Sequence, residues 1–370
     1  MIDRRNGPPG RSRLSHLGPT VLVFSLVVAA CGSDLPQSSL NPKAVEAEKI
    51  DQLWLLVFWA ATVIFVAVMT AMTISLIRFR KRSDDQPEPK QVHGNTKLEI
   101  VWTIVPAVIL ALMAVPTVRT LFELRTPDAD PFMTVRVTGH QWWWEFEYLD
   151  YTDSDGRMLT TANELHIPAG VTTNLQMTSV DVIHSFWVPP LNGKRDLVPG
   201  KVTELTLTPD DSIAGEVIPG QCAEFCWLGH ADMRMKVVVE TEADFDAWAG
   251  EQLEPATVPA SGAELAGYET FTQTCTVCHQ ANVDDGGSVS VIGAALAPDL
   301  THFGSRLTLG AGVLENTPEH LAQWIDNPSA LKAMDPSLND LAEGLILGMP
   351  DYGLDEGQIA ELTLLLQGWK

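Results

Sequence analysis

The sequence predicts a three-part membrane protein: a hairpin of two transmembrane helices, an external all-β sandwich, and an external all-α domain. Two long apolar runs, a series of short alternating strands, and a Cys-x-x-Cys-His motif in a helix-like setting carry that prediction. At 370 residues the chain has room for two domains beyond its membrane segments. Its net charge of −23 lies entirely beyond Leu121, since the residues before it hold more Lys and Arg than Asp and Glu. This argues against nucleic acid and suits a basic partner met by electrostatic steering, or simply a solvated acidic surface. Of five cysteines, four fall in one CxxxC and one CxxC pair, which reads as cofactor sites rather than a disulfide scaffold.

Residues 1–31 read as a signal peptide. Arg4, Arg5, Arg11 and Arg13 precede the run VLVFSLVVAAC, which is too short to cross about 30 Å of hydrocarbon at ~1.5 Å per residue. Ala29 and Ala30 before Cys31 resemble a bacterial lipoprotein cleavage site that leaves Cys31 lipidated. An ordinary signal peptide with an incidental cysteine is the alternative. Residues 32–122 then hold the membrane hairpin. The run 53–77 carries no charge and is long enough to span; the second span is 100–118, where Pro106 and Pro116 are tolerable in a packed membrane helix. Between them RFRKRSDDQPEPKQVHGNTK carries six Lys or Arg. Basic loops stay cytoplasmic, so everything after Val118 is external, on a bacterial cytoplasmic membrane.

From about Pro131 the text becomes β-rich, and residues 123–247 form the second part. MTVRVTGHQWWWEFEYL alternates; ELHIPAGVTTNLQMTS, VIHSFWVPP, KVTELTLTP and MRMKVVVET follow at strand-and-turn spacing, with no helix-period stretches for βαβ units. Into this sandwich fall His184 and the loop QCAEFCWLGHADM. A single-copper electron-transfer site needs two imidazoles, one thiolate and a weak thioether, and His184, Cys226, His230 and Met233 already supply that set. Cys222 is one thiolate too many, which makes sense if two sulfurs bridge two coppers, each taking one imidazole. The plainer alternative is a disulfide between two exported cysteines beside structural histidines.

The loop CAEFCWLGHADM, with DVIHSFWVP upstream, resembles the dinuclear copper (CuA) site of cytochrome c oxidase subunit II. GHQWWWEFEY and NTKLEIVWTIVP resemble the same family. The resemblance implies a cupredoxin-like Greek-key sandwich whose copper ligands are His184, Cys222, the Glu224 backbone carbonyl, Cys226, His230 and Met233. It also implies that the Glu224 side chain binds a Mg²⁺ at the border with the catalytic subunit, a hard ion suited to a carboxylate. By the same match Trp142 is the point where electrons arrive, and Glu99 lies at the mouth of a proton path into the catalytic subunit. The plain alternatives are a core or interface aromatic and a helix N-terminal carboxylate. Asp181, Lys194, Arg195 and Asp196 are read as no more than interface residues.

EQLEPATVPASG reads as a linker within residues 248–262. In 263–370, AELAGYETFTQTCTVCHQ is helix-like and ends in Cys275, Cys278 and His279, which suits covalent haem c attachment through two thioethers with His279 on the iron. A thiol redox pair would want a βαβ setting, and zinc a second ligand pair. Met349, just before the closing helix LDEGQIAELTLLLQGW, is favoured over Met334 as the second axial ligand. The order of haem motif, Met-Pro and terminal helix resembles class I cytochromes c, and Pro298 matches the proline whose carbonyl orients the proximal histidine. His302 and His320 read as surface or structural. The departures from the family pattern are Trp227 and the acidic insertion NVDDGGSVSV.

The expected function is that of the subunit where electrons arrive in a haem-copper terminal oxidase, passing from haem c to CuA to a separate catalytic subunit I that reduces oxygen. Its partners would be the other oxidase subunits, a donor such as a cytochrome c or cytochrome bc complex, and membrane lipid. The alternatives are the CuA subunit of a nitric oxide reductase and a copper-delivery or thiol-redox protein.

Overall fold

A computed structural model describes residues 35–80, 91 and 93–370. The signal peptide, Cys31 and most of the basic loop lie outside the described residues. Helices α1 (Val45–Arg78) and α2 (Thr96–Arg125) are both longer than the apolar runs that predict them. A helix of 34 residues reaches about 51 Å at ~1.5 Å per residue, well beyond ~30 Å of hydrocarbon. The surplus is polar and serves docking. Glu46, at the external end of α1, accepts from the Thr208 amide and hydroxyl at 3.0 and 2.9 Å. Lys49 pairs with Glu123 of α2 at 3.6 Å. The apolar stretches have a mean hydropathy of 2.4 and 2.3 and no buried share, as expected of side chains that face lipid. The chain is a membrane protein with two spans and an external portion.

That external portion begins with a ten-stranded sandwich. β1 (Met133–His140), β2 (Trp143–Thr152), β3 (Met158–Ala162), β5 (Thr173–Ser179) and β8 (Thr203–Leu207) form one sheet in the order β3-β2-β1-β5-β8. β4 (Glu164–Pro168), β6 (His184–Trp187), β7 (Arg195–Leu197), β9 (Val217–Cys222) and β10 (Arg234–Glu240) form the other, in the order β4-β10-β9-β6-β7. The β1–β5 and β4–β10 pairs are parallel, which hairpins alone cannot make, so the chain crosses between sheets as in a Greek key. Residues alternate buried and half-exposed along β5 and β10. Their inward sides meet Trp144, Phe146, Tyr148, Phe186 and Val237 in one core. The aromatic run predicted as one alternating stretch is instead a hairpin, with Gln141 and Trp142 at its turn. That turn places Trp142 at the end of the sandwich rather than along a strand.

Part of the presumed linker is regular. Residues up to Leu253 belong to α3 (Glu242–Leu253), whose Phe245 is fully buried against the sandwich, and β11 (Ala256–Thr257) pairs with β12 (Ala281–Asp284). The C-terminal domain is built on α4 (Gly262–Thr274) crossing α7 (Glu356–Gly368). Gly267 sits at the crossing because any Cβ there would collide with the Glu361 carbonyl. Phe271, Leu362, Leu365 and Trp369 fill the contact. A small sheet departs from a purely helical domain: the acidic insertion forms the hairpin of β12 and β13 (Val289–Ile292), with Asp284 Oδ1 accepting from the Gly286 and Gly287 amides.

Candidate metal centre and haem cavity

Two strand ends and one loop bring the sulfur and imidazole donors together. His184 opens β6 and Cys222 closes β9, strands that pair at Phe186 and Cys222. The loop then returns to β10, tied at its base by the Cys222 amide donating to the Met233 carbonyl at 2.9 Å and the Ala223 amide to Ser185 at 2.9 Å. Within it Cys222 Sγ lies 3.9 Å from Cys226 Sγ and 4.0 Å from His184 Nδ1. Cys226 Sγ lies 3.7 Å from His230 Nδ1 and 3.9 Å from Met233 Sδ, and Cys222 Sγ lies 3.2 Å from the Glu224 carbonyl. The structure thus gathers all six donors named from the sequence.

The sulfurs are free thiols, nearly twice as far apart as the ~2.05 Å of a disulfide. The contact between the two sulfurs pulls Cys222 well below the ordinary thiol range and pushes Cys226 above it. Two buried sulfurs ringed by two imidazoles and a thioether are a set of soft donors suited to copper, and a cation bound by them would displace thiol protons. Asp181, read from sequence as an interface residue, has a more particular place. Its Oδ1 lies 2.9 Å from His184 Nε2, and its Oδ2 accepts from the Gln141 amide at 2.7 Å. Burial pushes the Asp181 carboxyl up, but the bond and charge of His184 together with the Val182 and Gln141 amides outweigh it and lower the carboxyl; Asp181 and Cys222 raise His184 in turn, against the effect of its own burial. The carboxylate therefore orients the ring with Nδ1 toward Cys222, the usual arrangement behind a metal-bound histidine. The available signal was an aspartate three residues before a ligand histidine.

Around the loop Phe225, Trp227 and Leu228 are exposed, 76%, 55% and 49% respectively. Trp227 has φ of 84°, a left-handed conformation uncommon outside glycine. The Glu224 side chain is also exposed. Glu99 is exposed near the start of α2, where Oε1 accepts from the Asn95 amide at 3.1 Å and completes the helix cap begun by the Asn95 side chain.

The second site is a pocket of about 1010 Å³, partly open to solvent, between the sandwich and the C-terminal domain. Cys275, Cys278, His279, Met334, Met349 and Trp142 are among its lining residues. His279 Nδ1 lies 2.7 Å from the Pro298 carbonyl, so Nε2 is its remaining ligating atom. Burial lowers the His279 pKa and keeps the ring neutral, as iron ligation requires. Two thiols, a neutral imidazole and two thioethers on one large, mostly apolar cavity fit a covalently attached haem. Met334 and Met349 both line it; their segments meet where Gly348 packs on Met334. His302 is not at the surface: it is 7% exposed and its Nε2 lies 2.8 Å from the Glu254 carbonyl. The partly buried Arg306 also lines the cavity; it was not named from the sequence.

The domains are joined by buried polar contacts that sequence reading missed. Glu164 of β4, 4% exposed, accepts from the Leu307 and Thr308 amides at 3.0 and 2.8 Å and from the Thr308 hydroxyl at 3.1 Å. The Arg234 amide donates to Ala311 at 3.0 Å. Trp142, 4% exposed, donates Nε1 to the Cys226 carbonyl at 2.6 Å.

Two spans, a Greek-key sandwich and a paired-cysteine donor set define a membrane-anchored cupredoxin of the paired-thiolate type. Comparison with known families agrees. The model for the transmembrane domain of cytochrome c oxidase subunit II matches residues 35–120, and that for its periplasmic domain matches 133–241. Cytochrome c oxidase subunit 2 of Alkalihalophilus pseudofirmus is 34% identical over 328 residues, covering 86% of this chain and 91% of that one. The Bacillus subtilis subunit is 31% identical, covering 83% and 87%. The Arabidopsis thaliana subunit is 32% identical but covers only 54% of this chain, against 83% of its own length. The chain belongs to the cytochrome c oxidase subunit II family, and its sandwich is the CuA-type domain of an oxidoreductase subunit.

Proposed function

We propose that the chain takes electrons from an external donor at a haem c held by Cys275, Cys278 and His279, with Met349 as second axial ligand. It delivers them through a dinuclear copper centre to a separate catalytic subunit that reduces oxygen. The copper ligands are His184, Cys222, the Glu224 carbonyl, Cys226, His230 and Met233. The observation that carries this reading is Trp142, which lines the haem cavity and also donates to the carbonyl of Cys226. When bound, both groups supply one-electron carriers. The chain's part is to hold them on either side of one buried indole, so that transfer needs no diffusion. Asp181 fixes the His184 ring, and Arg306 offers a cation to the haem carboxylates.

The exposed Phe225, Trp227 and Leu228 make an apolar rim that suits the catalytic subunit, with the Glu224 carboxylate there to share a Mg²⁺ whose other ligands that subunit supplies. Glu99, besides capping α2, stands at the mouth of a proton path in the same partner. Other oxidase subunits, lipid, and a cytochrome c or bc-type donor complete the assembly. Metal and haem analysis of the purified full-length protein tests this, with near-infrared absorption and EPR. Two coppers per covalent haem, with one unpaired electron shared over both coppers, is the expected result. One copper or none, with a Cys222–Cys226 disulfide after copper loading, would shift the reading to copper delivery. A nitric oxide-reducing partner on co-purification would replace the oxygen-reducing one.

A further inference from the structure

Lys332 follows the short helix α6 (Pro328–Leu331), is 5% exposed, and lines the haem cavity. Its Nζ donates to the Trp142 carbonyl at 2.7 Å and to the Gly310 carbonyl at 3.1 Å. Among the described residues no carboxylate pairs with it directly. An amine buried this way is costly, and an apolar side chain of similar length would avoid the cost. The expense falls at a particular place. Trp142 donates its indole N–H to the Cys226 carbonyl at 2.6 Å, and the neighbouring Gln141 side chain donates to the same carbonyl at 3.0 Å. Gly229 packs so closely on the indole that a Cβ would overlap it. The indole is thus held from its far side by the copper loop, while its backbone is held from the cytochrome side by Lys332.

We propose that Lys332 is a positioning residue for electron transfer, pinning Trp142 between the haem cavity and the paired-cysteine centre. This rests on the haem-to-copper relay proposed above. It differs from a purely cohesive role, in which the amine only helps hold two domains together.

The test uses the full-length subunit in its purified oxidase, as wild type, K332R, K332Q and K332M. Copper and covalent haem are counted first. An electron is then injected photochemically at the haem, and its arrival at copper is timed as a function of solvent viscosity. K332M is expected to keep both cofactors and to slow the transfer roughly tenfold or more, since an ångström-scale misplacement of a reacting group costs on that order. That slowing should be independent of viscosity, because the domains remain docked. K332R, which can still donate to both carbonyls, should recover most of the rate. Should K332M fail to assemble, K332Q carries the test, as its shorter amide cannot serve both carbonyls. In the metal- and haem-free chain, exchange of the Trp142 indole proton should quicken at least tenfold in K332M, with other buried indoles unchanged. An unaffected rate would overturn the proposal, and a viscosity-dependent slowing would reduce Lys332 to domain cohesion. A wild type without covalent haem would instead overturn the relay itself.

Discussion

Replacing Glu164 with alanine should undock the C-terminal domain without unfolding the sandwich. The carboxylate sits at the first residue of β4 and accepts three hydrogen bonds from Leu307 and Thr308. Bonds to a charged acceptor are worth about 1.5–3 kcal/mol each, and donors left buried without a partner cost a similar amount. The three share one carboxylate and are not additive, and water can reach donors exposed by opening. A loss of about 3–6 kcal/mol in docking free energy follows, or about 10²- to 10⁴-fold in the docking constant. E164Q keeps one acceptor oxygen and should lose about 1–3 kcal/mol. Amide hydrogen exchange read by mass spectrometry over the 305–312 region reports this opening directly. Protection of the Leu307 and Thr308 amides should fall by the stated factor in E164A, while β9 and β10 keep theirs. Unchanged protection at 307–308 would refute the latch. Equal loss across β9 and β10 would refute it too, by showing that Glu164 supports the sandwich rather than the junction.

Three further outcomes are expected. D181N removes the anionic acceptor behind His184 and should weaken copper binding about 10- to 100-fold in a competition titration; unchanged affinity would deny Asp181 its orienting role. In redox titrations M349A should lower the haem potential and M334A should leave it, because thioether ligation is what raises it; the reverse result assigns the axial position to Met334. Burial pushes the Cys275 thiol up to about 12 from an ordinary 9.0. Between those values the folded apo-chain keeps a proton that the unfolded chain releases, so its stability falls as pH rises through that window. Thermal melts of the haem-free chain should therefore drop above pH ~9, and thioether formation should abolish that component.

Much of the molecule was legible because its signals are local. Each spanning helix is a contiguous apolar run, and five of the six proposed copper donors lie within the twelve residues from Cys222 to Met233. The haem motif is likewise five contiguous residues. His184 could be named as the sixth donor because its strand carried its own signature, DVIHSFWVP. Local reading also has characteristic errors. The helices outrun their hydrophobic segments because docking contacts such as Glu46 with Thr208 continue them into water. GHQWWWEFEY looked like one strand because alternation persists on both sides of the turn, and the presumed linker is partly strand because β11 depends on pairing with β12.

The sequence by itself thus determined the two spans, the external β-sandwich that follows them, and which residues stand as candidate donors at both centres. Only the tertiary structure decided how the centres are joined. Lys332 reaches the Trp142 carbonyl across 190 positions of chain, and Glu164 reaches the Thr308 amide across 144. Both contacts pair a side chain with a backbone group, so no residue type on the receiving side marks them in the sequence. Each exists because two separately formed cores present matching surfaces, and that match is a property of folded shapes rather than of any stretch of chain.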